Sequence, residues 1–261
     1  MRDLDRFVPI GECSDVVSSR DYVVRIYHDG RLSEDSFEIL KAGQRVYAWR
    51  GNRFYLGGFS ERNGRHDPPL RPDLIGNGEP CLVIGEWTGG AHSDYILHIF
   101  EIGERFHPLA VINGMHSDPM LEDRDKDGVP EIVMGDGTFA YWLTCFAYSP
   151  MPEVLLRWKD GAYRLAGDLM RKPPPPETEL AAWAEGMRTG PGWNEELRIP
   201  PPALWGRMLD LIYSGNDAQA RRLLRLAWRP ALPGLEAFER DFRAQLATSP
   251  YWPEIRALQS R

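Results

Sequence analysis

Hydrophobic and polar residues alternate in short runs through the first part of the chain. In residues 21–28, Tyr22, Val24 and Ile26 would share one face of a strand. Residues 1–20 lack such a pattern and are predicted to be irregular. Residues 57–72 are rich in glycine and proline and are predicted to form a long loop. Similar runs at 36–40, 45–49 and 53–56 are separated by short turn sequences. This spacing predicts an antiparallel β meander.

An internal repeat follows the meander. Aligning residues 77–80 (Asn-Gly-Glu-Pro) with 127–130 (Asp-Gly-Val-Pro) places Asp73 over Asp123. An apolar run begins directly after each of these loops. We therefore predict two copies of a loop, strand, turn and strand unit. The strands after the turns are placed at 93–102 and 139–148, and a final hairpin at 154–158 and 163–165.

The period of the hydrophobic pattern changes after a run of four prolines at 173–176. A tetraproline cannot join a sheet and favours an extended spacer. We therefore predict an antiparallel β domain at 1–171, a linker at 172–176 and an α-helical domain at 177–261. Apolar residues recur at helical spacing in four groups: Leu180, Trp183, Ala184 and Met187; Leu204, Met208, Leu211 and Ile212; Ala220, Leu223, Leu224 and Ala227; Phe238, Phe242 and Leu246.

Charge and composition restrict the partners. The 261 residues carry a net charge of -7, which argues against a nucleic acid or an anionic membrane surface. No apolar stretch has the length of a membrane span, and no signal peptide is visible in residues 1–20. Cys13, Cys81 and Cys145 allow at most one internal disulfide, so the redox compartment stays open.

The second repeat loop has the chemistry of a calcium site. Carboxylates alternate at Asp123, Asp125 and Asp127, and Gly128 follows them. An EF-hand would need a glutamate where Met134 stands and a helix where an apolar strand is predicted. We therefore predict a shorter loop that closes at the ninth position. Its ligands are the side chains of Asp123, Asp125, Asp127 and Glu131 and the carbonyl of Val129.

The two repeat loops differ in how well their residues suit an ion. An acidic turn whose aspartates hydrogen-bond their own backbone is the alternative interpretation of the second loop. The first loop has Ile75 and Cys81 at two of the ligand positions, which leaves only Asp73 and Asn77 with suitable side chains. We predict that no ion binds there.

The loop at 123–131 resembles the FG-GAP or VCBS type of repeat found in integrin alpha propellers and in many bacterial secreted proteins. The resemblance covers about residues 73–166, and Glu131 replaces the final aspartate of the family pattern D-x-D-x-D-G-x-x-D. It implies β-propeller-like blades, structural Ca²⁺ and an exported, periplasmic or extracellular location. Because only two copies are visible, a small sandwich or a partial propeller is expected rather than a closed ring.

These features lead to a coarse functional hypothesis. It is a non-enzymatic, calcium-stabilised binding protein of the bacterial cell envelope or exterior, with a protein or a glycan as partner; a cytoplasmic location stays open. The alternative is a hydrolase whose site lies around Glu86, His92 and Asp94, although no recognised catalytic motif accompanies these residues. A third hypothesis assigns partner docking to the helical hairpin within 209–228.

Overall fold

A computed structural model describes residues 4–30, 34–58 and 68–259. Antiparallel sheets form the N-terminal part and helices the C-terminal part, which confirms the predicted fold class. The chain divides into two compact units. The first unit comprises Met1–Met134 and Leu156–Arg164, and the second comprises Gly135–Leu155 and Leu165–Arg261. The proline-rich segment at 172–176 lies inside the second unit.

The first sheet is an antiparallel meander in the order β1-β2-β3-β4. Its strands are β1 (Glu12–Ser19), β2 (Tyr22–His28), β3 (Asp35–Lys41) and β4 (Gln44–Gly51). Strand β1 shows that the prediction of irregular structure in residues 1–20 was wrong. This strand lies at the sheet edge and most of its side chains are exposed, so it has no apolar face that a pattern could reveal.

The second and third sheets contain the two repeats. The second sheet has the order β5-β7-β8-β9, with β6 also pairing with β7, and the third has the order β10-β11-β12-β13. Their strands are β5 (Arg53–Leu56), β6 (Leu70–Arg71), β7 (Cys81–Trp87), β8 (Tyr95–Ile102), β9 (Phe106–Asn113), β10 (Met120–Glu122), β11 (Glu131–Gly135), β12 (Glu153–Lys159) and β13 (Ala162–Leu165). Each repeat thus contributes a short strand, a loop and three further strands.

The predicted strand at 139–148 was wrong. Short 3-10 helices, Gly137–Phe139 and Phe146–Tyr148, lie there instead, and Asp136 caps the first of them by accepting a hydrogen bond from the Thr138 amide. Runs of apolar residues without charges do not distinguish a strand from a compact loop. The strand that follows the second repeat's turn is β12.

Aromatic side chains hold the first unit together. Residues of β2 and β3 pack against residues of β5, β7 and β8 in one buried cluster. Phe37 lies at its centre, with its ring centroid 4.9 Å from that of Phe54 and 6.1 Å from that of Phe100. Burying each such side chain contributes about 1.5–3 kcal/mol.

Six helices are described in the second unit: α1 (Gly167–Met170), α2 (Glu177–Thr189), α3 (Pro202–Tyr213), α4 (Asp217–Ala227), α5 (Leu235–Leu246) and α6 (Trp252–Leu258). The apolar positions predicted at helical spacing form their buried faces, for example Phe238, Phe242 and Leu246 on α5. Within the described ranges, no helix combines the length and apolar character needed to cross a membrane.

Candidate metal centre

The two repeat loops share one backbone shape. Gly76 and Lys126 occupy equivalent positions and have φ angles of 77° and 64°. Two residues later, Gly78 and Gly128 have φ angles of 81° and 93°. A left-handed residue at both places reverses the chain tightly, and a strand begins directly after the loop, at Cys81 in β7 and at residue 131 in β11. The loops are therefore geometrically equivalent, as the sequence alignment predicted.

The first aspartate of each loop holds its backbone. Asp73 accepts hydrogen bonds from the amides of Ile75, Gly76 and Gly78. Burial raises the pKa of Asp73, but the amide donors outweigh it and lower the pKa below its ordinary value. In the second loop, Asp123 likewise accepts from the Gly128 amide at 3.0 Å. An aspartate that accepts backbone hydrogen bonds at this position fixes the turn in both loops.

Three carboxylates converge in the second loop. Asp123, Asp125 and Glu131 each offer an oxygen atom, and these atoms lie within 4.8 Å of one another. Glu131 is fully buried at the start of β11, whereas the two aspartates are exposed. A calcium ion contacts its oxygen ligands at about 2.3–2.6 Å, so three oxygens this close together fit around one ion.

The other two predicted ligands are held differently. The carboxylate of Asp127 accepts a hydrogen bond from the Val129 amide at 2.8 Å, and the Asp127 amide donates to Asp123 at 3.1 Å. Asp127 is not among the three residues whose oxygens converge. The structure thus brings together Asp123, Asp125 and Glu131, while Asp127 and Val129 brace the loop through each other.

An arginine that sequence reasoning missed also reaches this cluster. Arg157, on β12, places its Nη2 atom 2.5 Å from Asp125 and its Nε atom 3.0 Å from Glu131. Its single positive charge offsets one of the three carboxylates, so the cluster keeps an excess of negative charge. No spacing in the sequence links Arg157 to the loop; the order of strands β11 and β12 in the sheet brings them together.

The first loop closes without such a cluster. Asn77 donates a hydrogen bond to Glu101 on β8 at 2.6 Å, and Glu101 is also 3.1 Å from His107. Burial raises the pKa of the Cys81 thiol to about 11, so the thiol stays protonated at neutral pH. A protonated thiol is a poor ligand for a hard cation.

Among the residues of the alternative hydrolase site, Glu86 pairs with His98, whereas His116 contacts both the carbonyl of His92 and the carboxylate of Asp94. Glu86 is buried and its carboxylate lies 2.8 Å from Nε2 of His98, which is also fully buried. His92 is exposed, and Asp94 accepts a hydrogen bond from Asn113 at 3.1 Å. A buried glutamate-histidine pair among aromatic rings offers no open face to a substrate.

The second unit contains a groove of about 480 Å³ that sequence reasoning did not find. Its walls include the tetraproline segment and residues of α2 and α3. The Arg207 guanidinium lies 4.5 Å from the centroid of the Trp183 ring, and its Nη1 atom is 3.7 Å from Asp210. Burial raises the pKa of Asp210 although Arg207 and Lys172 lower it.

Comparison with known proteins gives the chain no family. No family model matches it, and no curated protein or solved structure matches it either.

Proposed function

We propose that this protein is a non-enzymatic binding protein whose first unit is stabilised by one calcium ion in the 123–131 loop. The convergence of oxygens from Asp123, Asp125 and Glu131 is the observation that supports this proposal. Buried Glu131 supplies a fixed ligand, and the exposed aspartates leave the site accessible to an ion from solvent. Calcium is favoured over softer metals because all the ligand atoms are carboxylate oxygens.

The ion would have a structural role, which is to hold the 123–131 loop in its folded conformation. A strand, β11, leaves the loop, so the helix pair that opens in calcium sensors has no counterpart at this site. Binding to the folded state alone stabilises it in proportion to the logarithm of free calcium over the dissociation constant. One exchangeable ion in an exposed loop suits the millimolar calcium outside cells or in the periplasm. We accordingly propose an exported location and a protein or glycan partner.

Arg157 would set the calcium affinity. Its guanidinium pairs with two of the three ligands, Asp125 and Glu131. A calcium ion must share or displace these ion pairs, so its net binding free energy is smaller than the carboxylates alone would give. A dissociation constant of about 10⁻⁴–10⁻³ M, typical of extracellular modules, is expected.

Calorimetric titration of the calcium-depleted protein tests the site. Wild type should bind one calcium ion, and Asp125→Ala should abolish the binding heat because it removes an oxygen ligand. Asp73→Asn, in the equivalent position of the first loop, should leave the heat unchanged. Absence of calcium-dependent heat in wild type would refute the proposal.

Replacing Arg157 distinguishes two roles: competing with calcium for the carboxylates, or holding the carboxylates in position for calcium. Arg157→Met should bind calcium about tenfold more tightly and, without calcium, should lose about 2 kcal/mol of stability because Glu131 is left buried beside no cation. Thermal melts with and without calcium measure both effects. If Arg157→Met instead abolished binding, Arg157 would be holding the ligands in place rather than competing with the ion.

A further inference from the structure

The connection between β11 and β12 is much longer than its counterpart in the first repeat. Residues 136–152 join these strands, whereas residues 88–94 join β7 and β8. We call residues 137–152 the apolar loop. Insertions in repeat proteins map to loops, and such loops often form the binding face.

Within the second unit, two aromatic residues anchor the apolar loop to helices α3 and α5. Phe139 is fully buried, with its ring centroid 5.2 Å from that of Phe242 on α5. The Trp142 ring lies 5.6 Å from Trp205 on α3 and 5.7 Å from Phe238 on α5. These contacts fix the loop on the helices, so its outer side chains are presented by an ordered backbone.

The outer side of the apolar loop exposes large hydrophobic groups. Tyr141, Leu143 and Tyr148 keep 54%, 45% and 71% of their surface exposed. Tyr141 and Leu143 also have left-handed φ angles of 60° and 54°, which bulky residues rarely adopt. They flank the anchored Trp142, so the chain turns on both sides of the anchor. Strained residues of this kind persist where the surrounding structure holds them, and they concentrate at binding sites.

The absence of charged residues from the apolar loop favours an uncharged partner surface. Residues 137–152 contain no Asp, Glu, Lys, Arg or His, and this is the longest such run in the chain, whose net charge is -7. Two copies of an acidic protein repel each other over most surfaces, but they can meet at a neutral patch without opposing like charges. A charged partner would find no countercharge within the loop. A second copy brings an equally neutral and apolar surface.

We propose that the apolar loop is the contact surface of a symmetric dimer of this chain. In such a dimer the same patch serves both copies, and Tyr141, Leu143 and Tyr148 of one copy pack against those of the other. Exposed tyrosines are common anchors of protein interfaces because they bury much surface and have few rotatable bonds. The dimer does not depend on the calcium proposal.

Sedimentation velocity of the full chain over a range of concentrations, with calcium and with a chelator, tests the proposal. Wild type should show a monomer–dimer equilibrium in both buffers, and Tyr148→Glu should weaken it at least about tenfold because both copies carry the charge. Leu143→Asn, which tolerates the left-handed backbone, should weaken it too without unfolding the loop. Leu197→Glu, at a 64% exposed leucine outside the loop, is the matched control and should not change it.

A cross-linking experiment locates the contact. Cys13 and Cys145 are the exposed cysteines, and only Cys145 lies in the apolar loop. In a Cys13→Ser background, a bis-maleimide should link two chains through Cys145, and Tyr148→Glu should reduce the yield. A wild type that stays monomeric at every concentration would overturn the proposal. So would a dimer that neither cross-links through Cys145 nor responds to Tyr148→Glu, since its interface would lie elsewhere.

Discussion

Asp136 is the most heavily hydrogen-bonded carboxylate of the second unit's described interior. It is fully buried directly after β11. One oxygen accepts hydrogen bonds from the hydroxyls of Tyr213 and Ser249, both at 2.5 Å, and the other accepts from the amide and hydroxyl of Thr138. These bonds tie the start of the apolar loop to α3 and to the segment after α5. Hydrogen bonds to a charged group contribute about 1.5–3 kcal/mol each.

Asp136→Ala should therefore destabilise the protein by about 3–5 kcal/mol, because it leaves buried hydroxyls without an acceptor. Asp136→Asn keeps the acceptor for Thr138 and should cost less. Urea unfolding measures both. Asp241→Ala, at an exposed carboxylate paired only locally with Arg240, is the control and should change stability by less than about 0.5 kcal/mol. Equal effects at both positions would contradict the role of Asp136.

Buried tyrosines predict a loss of stability at alkaline pH. Burial raises the pKa of Tyr163, Tyr213 and Tyr251, and for Tyr213 the neighbouring Asp136 carboxylate raises it further. A raised folded pKa means that the unfolded chain releases the proton first, at about pH 10. The stability that each buried tyrosine adds to the folded state is complete below that pH. It is lost as the pH rises toward the pKa of the tyrosine in the folded state.

The free energy of unfolding should thus fall above about pH 10, by up to about 1.4 kcal/mol per pH unit for each such tyrosine. Tyr213→Phe should make the fall shallower, whatever its effect at neutral pH. Unfolding midpoints between pH 8 and pH 11 measure the slopes. Identical slopes for Tyr213→Phe and wild type would contradict the prediction.

At the level of elements, the two repeat loops can be compared at their left-handed backbone positions. The first loop has glycine at both left-handed positions, Gly76 and Gly78, whereas the second has Lys126 and Gly128. Lys126 stands at a position of the loop pattern that supplies no ligand, so the sequence analysis made no prediction about its backbone conformation. The structure shows that Lys126 adopts a conformation that glycine adopts without strain.

Lys126→Gly should stabilise the calcium-free protein by about 0.5–1 kcal/mol, because relief of strain exceeds the added entropy of the unfolded chain. Gly128→Ala should destabilise it by about 1–2 kcal/mol. An added methyl group at Gly128 would meet no other atom within 4 Å, so this cost reports backbone strain alone. Chemical denaturation measures both changes, and a destabilising Lys126→Gly would refute the interpretation.

The strands that sequence reasoning found and those it missed differ in burial. Strands β2, β3 and β7 were predicted from apolar residues that the structure buries. Strands β1 and β9 were missed, and both lie at sheet edges with many exposed side chains. The short strands β10 and β6 were missed too, and β6 lies within the predicted loop at 57–72, of which residues 59–67 are outside the described part of the chain. Pro108 within β9 further obscured the pattern. Hydrophobic periodicity reports burial, so it reveals an edge strand poorly.

At the level of the whole molecule, local sequence supplied the three converging carboxylates of the candidate metal centre but not the arginine beside them. Asp123, Asp125 and Glu131 lie within one loop, and their spacing was enough to predict that they converge. Arg157 comes from β12 and depends on the order of strands in the sheet. The same limit applies to Asp136, whose partners Tyr213 and Ser249 are far away in sequence. Contacts between distant segments require a topology that periodicity does not provide.

The division into two units predicts where each perturbation acts. Asp125 belongs to the first unit and Asp136 to the second, and the described partners of each carboxylate lie in its own unit. In hydrogen–deuterium exchange, Asp136→Ala should speed exchange mainly in Gly135–Leu155 and Leu165–Arg261, because local opening precedes global unfolding. Calcium should slow exchange at the amides of the 123–131 loop in wild type and not in Asp125→Ala. Uniform changes along the whole chain would show instead that the two units open as one cooperative structure.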